Sequence, residues 1–284
     1  MSSPIAQSFV QRLLRSGVAL FALAILTSMV VLTLAAGPLA GAQALEIDPI
    51  NRLTAPSAAH WFGTDHLGRD MLGLVLHGGR TTLAVGLVVT TLAMAVAVLL
   101  GLVAGFFRRV DAVLMRVVDA FLALPWILKM LLLIATFGSG IEVLIPTLAV
   151  FYGIPVIRIA RAAAHNVVAR DFVLAARARG HGRLAIIRRE LLPNVLDALM
   201  VEGAMRWSWM LLAFSSLSFL GFGVSPPTPD WGLMVADSRT FLAIAPWSGL
   251  YPIVALSSLI IGINLTADAL AKTLGVDRAQ KAPI

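Results

Sequence analysis

Asp171-Phe-Val-Leu-Ala-Ala-Arg-Ala-Arg-Gly180-His-Gly-Arg-Leu-Ala-Ile-Ile-Arg-Arg-Glu-Leu-Leu-Pro193 is a basic island in a chain otherwise built for lipid. Across the 284 residues 59% are hydrophobic and 13% charged, where a soluble domain carries about 25% charged residues. The mean hydropathy is +0.90. A segment this polar has to be held outside the bilayer, so the fold follows from the apolar segments around it.

A helix needs about 20 apolar residues to cross about 30 Å of hydrocarbon. Six segments qualify, at about 17–39, 81–107, 117–137, 141–157, 201–224 and 248–271. The fourth is short and carries Pro146, Gly153 and Pro155, which neighbours must accommodate. An even number of spans puts both termini on one side. That side holds sixteen Lys and Arg: Arg12, Arg15, Arg108, Arg109, Arg116, Arg158, Arg161, Arg170, Arg177, Arg179, Arg183, Arg188, Arg189, Lys272, Arg278 and Lys281. The other holds Arg52, Arg69, Arg80 and Arg239. The positive-inside rule places the richer side in the cytoplasm. The expected architecture is an all-α membrane protein of six transmembrane helices with N and C termini cytoplasmic. It comprises an N-terminal segment 1–16, a membrane body 17–280, an extracytoplasmic loop 40–80 and a cytoplasmic loop 158–200. The net charge of +7 reports topology, which removes the reason to invoke nucleic acid.

The N-terminal apolar run, preceded by Arg12 and Arg15 and followed by Ala42-Gln-Ala44, has a signal-peptide outline. Its length of about twenty exceeds the usual 7 to 15 of a signal core, so an uncleaved anchor is expected. The absence of cysteine excludes disulfides and thiolate metal sites.

Within the island, Asp171 is expected as an N-cap and Gly180 as a left-handed C-cap. A second helix then follows, with Leu184, Ile187 and Leu191 on one face and Pro193 closing it. Two uses fit this hairpin. It rests its cations on anionic lipid, or it presents the small surface of Ala175, Ala176 and Ala178 to a groove on a partner.

Ala175, Ala176, Gly180, Leu192 and Pro193 match the cytoplasmic-loop pattern of ABC importer permeases, Glu-Ala-Ala, three residues, Gly, and a later Leu-Pro; the chain resembles that family. Leu174 stands where the family has Glu. His60-Trp-Phe-Gly-Thr-Asp65-His-Leu-Gly-Arg-Asp70, followed by Gly78-Gly-Arg80-Thr, is similar to the C-type permeases of the dipeptide, oligopeptide and nickel importers. The resemblance implies the type I importer permease fold in a bacterial inner membrane. It implies a second homologous permease, two cytoplasmic ATPases that carry the ATP and Mg, and an extracytoplasmic binding protein. It further implies that Asp171, Leu174, Ala175, Ala176, Arg177, Arg179, Gly180 and Pro193 belong to the loop that couples to the ATPase. The substrate expected is a peptide or a related small solute such as a nickel chelate.

The loop 40–80 and the proline-stiffened Ser225-Pro-Pro-Thr-Pro-Asp-Trp231 segment either pack on the bundle or contact the binding protein. Asp65, Arg69, Asp70, Asp230 and Trp231 are the residues considered for that contact, with Trp231 as an interfacial anchor and Asp65 and Asp70 near helix starts. Ionisable groups inside spans are functional candidates because lipid makes them costly. Lys129, after Pro125 and Trp126, is the clearest, with a structural pair as its alternative. Ser215, Ser218 and Asn264 are further candidates for a translocation path, and Asn264 and Asp268 serve equally to fasten helices. Glu202 and Arg206 are spaced to pair, and Gly101 and Gly105 to bring helices close.

No G-x-x-x-x-G-K-[ST] occurs, so this chain has no P-loop for ATP. His60, His66, His77, His165 and His181 form no H-E-x-x-H, and neither a metal nor a bound cofactor is expected. Ser215, Ser216 and Ser218 lack a G-x-S-x-G setting or a later intramembrane histidine base. The rivals to a permease are an intramembrane hydrolase and a non-transporting membrane anchor for a cytoplasmic complex.

Overall fold

The computed structural model describes residues 16–41 and 43–274. Arg12, Arg15, Arg278, Lys281, the segment before residue 16 and Ala42 of the cleavage-like triplet lie outside the described residues. Among those described, helices form the whole framework, and the extended pairing is one bridge between Thr64 and Asp70.

The first apolar segment divides into α1 (Gly17–Leu34) and a short α2 (Ala36–Ala40). Arg80 reaches back to close α1, its Nε donating to the Thr33 carbonyl at 2.7 Å and its Nη2 to that of Leu34 at 2.6 Å. Two 3₁₀ turns, Gln43–Leu45 and Pro49–Asn51, cross the loop. Helix α3 (Met71–Phe106) begins well before the expected start near 81, because Asp70 caps it by accepting from the Gly73 N–H at 3.0 Å.

The expected third span is broken. Helix α4 (Arg108–Ala123) and α5 (Trp126–Phe137) meet at 89°. The cause is Pro125, which has no N–H to continue the ladder and whose ring opposes the carbonyl four residues back, that of Phe121. Lys129 Nζ donates to this same Phe121 carbonyl. It thus satisfies the group that the proline orphans.

Helix α6 (Ile141–Val168) runs past the expected end near 157 and absorbs Pro146 and Pro155. It lies close along α3: a Cβ added at Gly101 would come within 2.5 Å of Ala160 Cβ, and one at Gly105 within 2.5 Å of Ala164 Cβ. The expected glycine contact is therefore present.

Helix α7 (Asp171–Ala178) leads through Gly180 to α8 (Arg183–Ile186), a π turn (Ile187–Leu191) and α9 (Leu192–Phe219). Pro193 closes nothing. The Leu192 N–H reaches back five residues to the Ile187 carbonyl, and this shift of register lets proline stand in the first turn of α9. Leu184 is 78% exposed while Ile186, Ile187, Leu191 and Val195 are buried, so the inward face is set by the later residues. Helix α10 (Trp231–Ser238) packs into the bundle, and α11 (Trp247–Leu274) completes it.

Among the described residues, α1, α3, α6 and α11 are long and apolar enough to cross a membrane, and α4 with α5 makes a fifth candidate if the bent pair is one span. Helix α9 is long enough but carries Asp197, Glu202 and Arg206. One buried cluster, with Met71, Phe214, Leu211 and Trp231, joins α3, α9, α10 and α11. A second, with Leu102, Ala164, Val173, Ala176, Ile186 and Leu191, joins α7 and α8 to α3, α6 and α9.

Candidate functional site

The elbow between α7 and α8 is built from its own backbone. Gly180 has φ +79, a conformation that costs a residue with a Cβ about 1–2 kcal/mol. The Gly180 N–H bonds to the Arg177 carbonyl at 2.9 Å and the His181 N–H to that of Ala176 at 3.1 Å, the two bonds of a Schellman closure. Asp171 is not the N-cap. Arg170 holds the extended cap position and Asp171 is the first helical residue, where its charge still faces the positive end of the helix.

Helix α7 is tied inward and open outward. Val173 and Ala176 are fully buried, so Ala176 is a packing residue and not part of a docking surface. The outward positions are Asp171, Leu174, Ala175 and Ala178, with Arg177 and Arg179 also exposed. Leu174, at the family's Glu position, presents an exposed apolar side chain. Arg177 lies 5.1 Å over the Phe106 ring and Arg183 5.7 Å over that of Phe107. The two arginines flank the elbow and grip the end of α3. Neither phenylalanine was singled out in the sequence, although the Phe106-Phe-Arg-Arg109 run at a span end was a signal for them.

A second feature is a cavity of about 790 Å³ lined by Trp126, Lys129, Tyr152, Glu202, Arg206 and Trp209 among others. Arg206 Nε donates to Glu202 at 2.6 Å, the expected pair. Lys129 lies at the bend, 5.1 Å from the Phe151 ring centre. Ser215 and Ser218 do not line this cavity; both are buried where α10 crosses α9, at Gly232. Asn264 donates to Ser208 Oγ at 2.8 Å, fastening α11 to α9, and Asp268 is exposed.

The loop 40–80 folds on itself and onto the bundle. Asp65 heads no helix. Its Oδ1 accepts from the Leu67 and Arg69 N–H groups at 2.8 and 2.9 Å, and Arg69 Nη2 meets Oδ2 at 2.7 Å. Asp70 also meets His60 Nδ1 at 3.0 Å. Trp231 is no interfacial anchor. It is 1% exposed and its Nε1 donates to the Val75 carbonyl at 2.8 Å. Asp230 is fully buried as the N-cap of α10, accepting from Gly232 at 2.9 Å. Burial pushes its carboxyl up to about 6. Gly78 and Gly79 leave room for α10 and α1: a Cβ at Gly78 would lie 3.4 Å from the Asp230 Cα, and Gly79 faces Thr33 and Trp231. The side chains considered for partner contact are thus turned inward, while Ile47, Ile50 and Trp61 are exposed on the same loop.

Residues 97–276 match the family described as binding-protein-dependent transport system inner membrane component. The chain is 34% identical to the dipeptide transport system permease protein DppC of Alkalihalophilus pseudofirmus, over 96% of this chain and 90% of that one. It is 35% identical to the di/tripeptide transport system permease protein DppC of Pseudomonas aeruginosa, covering 80% and 76%. It is 33% identical to the glutathione transport system permease protein GsiD of Pectobacterium atrosepticum, covering 77% and 73%. The chain belongs to the family of inner-membrane permeases of binding-protein-dependent ABC importers, a multi-pass membrane component that is not itself an enzyme and that works with ATPases and a substrate-binding protein.

Proposed function

We propose that this permease carries peptides and that the elbow 171–193 couples it to ATP hydrolysis on two cytoplasmic ATPases. The observation that carries the coupling is the grip of Arg177 and Arg183 on Phe106 and Phe107. Together with the burial of Val173 and Ala176 against α3, α6 and α9, it makes the elbow and three long helices one mechanical unit. A displacement of α7 by a closing ATPase is then carried into α3 as a rigid shift. The outward face of Leu174, Ala175 and Ala178 is the docking surface, and its small residues allow close approach. Leu174 makes that contact by shape.

In this proposal the chain crosses the membrane six times with both termini in the cytoplasm, the broken α4–α5 pair and α9 completing the set. The charge count supports that orientation. A second permease closes the open side of the cavity around Lys129, Glu202 and Arg206, which forms part of the path. Ile47, Ile50 and Trp61 meet the binding protein. Peptide is favoured as substrate because two of the named relatives are di- or tripeptide permeases.

The docking face is tested by placing cysteine at Ala178 or Arg188 in this cysteine-free chain and crosslinking to the co-expressed ATPases. Ala178→Cys crosslinks and Arg188→Cys does not; the reverse pattern would overturn the assignment.

A further inference from the structure

Beside the elbow lies a groove of about 920 Å³ whose lining includes Arg108, Arg109, Arg177, His181 and Arg183. Ion pairing treats these arginines differently from their neighbours. On α6, Arg158 and Arg161 pair with Asp119 and Asp111 of α4. Among the described residues no carboxylate pairs with Arg108, Arg109, Arg177 or Arg183. Four guanidinium groups from three elements therefore line one concave space with no carboxylate paired to them among the described residues, Arg177 and Arg183 meeting phenylalanine rings instead. Each presents fixed N–H forks suited to a phosphate.

The surroundings set the depth of this groove. It opens where the apolar α3 ends, and Phe106 and Phe107, packed edge to face at 5.0 Å, also line it. The apolar helix gives way here directly to Arg108 and Arg109, which sets the groove at the cytoplasmic end of a span. Helix α4 leaves the groove with an exposed apolar stripe, Val110, Val113, Val117 and Phe121, at spacings of three and four. An apolar stripe next to unpaired arginines is the pattern of a surface that meets acyl chains and headgroups together. The docking face of α7, Leu174 and Ala178, points away from the buried side, whereas Arg177 lies on the flank that faces Phe106.

We infer that this groove binds the phosphate headgroup of an anionic phospholipid of the cytoplasmic leaflet, held by Arg108, Arg109, Arg177 and Arg183. The bound lipid neutralises charge that would otherwise repel across the elbow, and it bridges α7 to the end of α3. The inference does not depend on which solute is carried.

The complete transporter, with partner permease and ATPases, is purified in detergent, and retained lipid is counted by native mass spectrometry during titration with phosphatidylglycerol or phosphatidylcholine. Phosphatidylglycerol is retained preferentially, on the order of tenfold. Arg108→Gln with Arg109→Gln removes most of that preference, while Arg188→Gln with Arg189→Gln, equal in charge and outside the groove, keeps it. Assembly with the ATPases in each variant shows that the fold is intact. An equal loss in both double variants would overturn the site. Competition by millimolar inorganic phosphate as effective as by lipid would replace the lipid by a free anion. Phosphatidylglycerol preference seen only after the ATPases are stripped off would give the groove to the ATPase.

Discussion

At Asp230 two requirements oppose each other. The cap position favours a charged carboxylate toward the Gly232 N–H, while full burial favours the neutral acid, and the nearby charge of Asp237 adds to the burial effect. Burial wins, since the carboxyl is raised from 3.8 to about 6. The fold therefore prefers the protonated form. That stabilisation is complete below about pH 4 and lost as pH rises through about 6, on the order of 3 kcal/mol in all. Thermal unfolding of the purified transporter should show a higher midpoint at pH 5 than at pH 7.5. Asp230→Asn keeps the cap and removes the charge, so its midpoint should lose most of this pH dependence; an unchanged pH profile would show that another group is responsible. At Ala176, fully buried in the cluster under the elbow, leucine overpacks by about 1–3 kcal/mol. The Ala176→Leu variant should unfold at lower temperature, whereas leucine at the outward Ala175 should leave the midpoint in place.

Among the elements, the α3–α6 pair and the broken α4–α5 pair account for most of what positions the cavity and the elbow. Gly101 was legible as a packing residue because glycine four residues apart in an apolar helix has that meaning, and Ala160 and Ala164 stand opposite the two glycines. Gly101→Leu should separate α3 from α6 and abolish assembly, read by co-purification of the ATPases; normal yield would contradict the close approach. The Pro125 break was not legible, because prolines at 146 and 155 pass through α6 without ending it. What distinguishes 125 is the lysine four residues on that answers the orphaned carbonyl. Lys129→Met should leave Phe121 without that donor. Peptide uptake should fall and the α4 end should exchange amide hydrogen faster, whereas Lys129→Arg should restore both in part. Slow exchange in the methionine variant would show that the carbonyl finds another donor. Pro193 was misleading for a related reason: the π turn before it is a register shift that only the backbone reveals.

For the whole molecule, composition sufficed for the membrane class, the family was legible only through the Ala175-Ala176…Gly180…Leu192-Pro193 and His60–Asp70 motifs, and the Ala-Ala-x-x-x-Gly pattern sufficed for the elbow. They did not suffice for which way α7 faces. That depends on burial against α3, α6 and α9, three helices distant in sequence, and it moved Ala176 inside while leaving Leu174, Ala175 and Ala178 outside. The grip of Arg177 and Arg183 on Phe106 and Phe107 is likewise a meeting of segments about seventy residues apart. In the mechanism proposed above, this unit transmits ATPase closure to the membrane helices. The direct measurement is peptide taken up per ATP hydrolysed in proteoliposomes holding the complete importer. Gly180→Pro removes the N–H bond to Arg177 and the left-handed turn at once. Uptake per ATP should fall by about tenfold or more while hydrolysis and assembly persist; an unchanged ratio would show that the elbow does not carry the coupling.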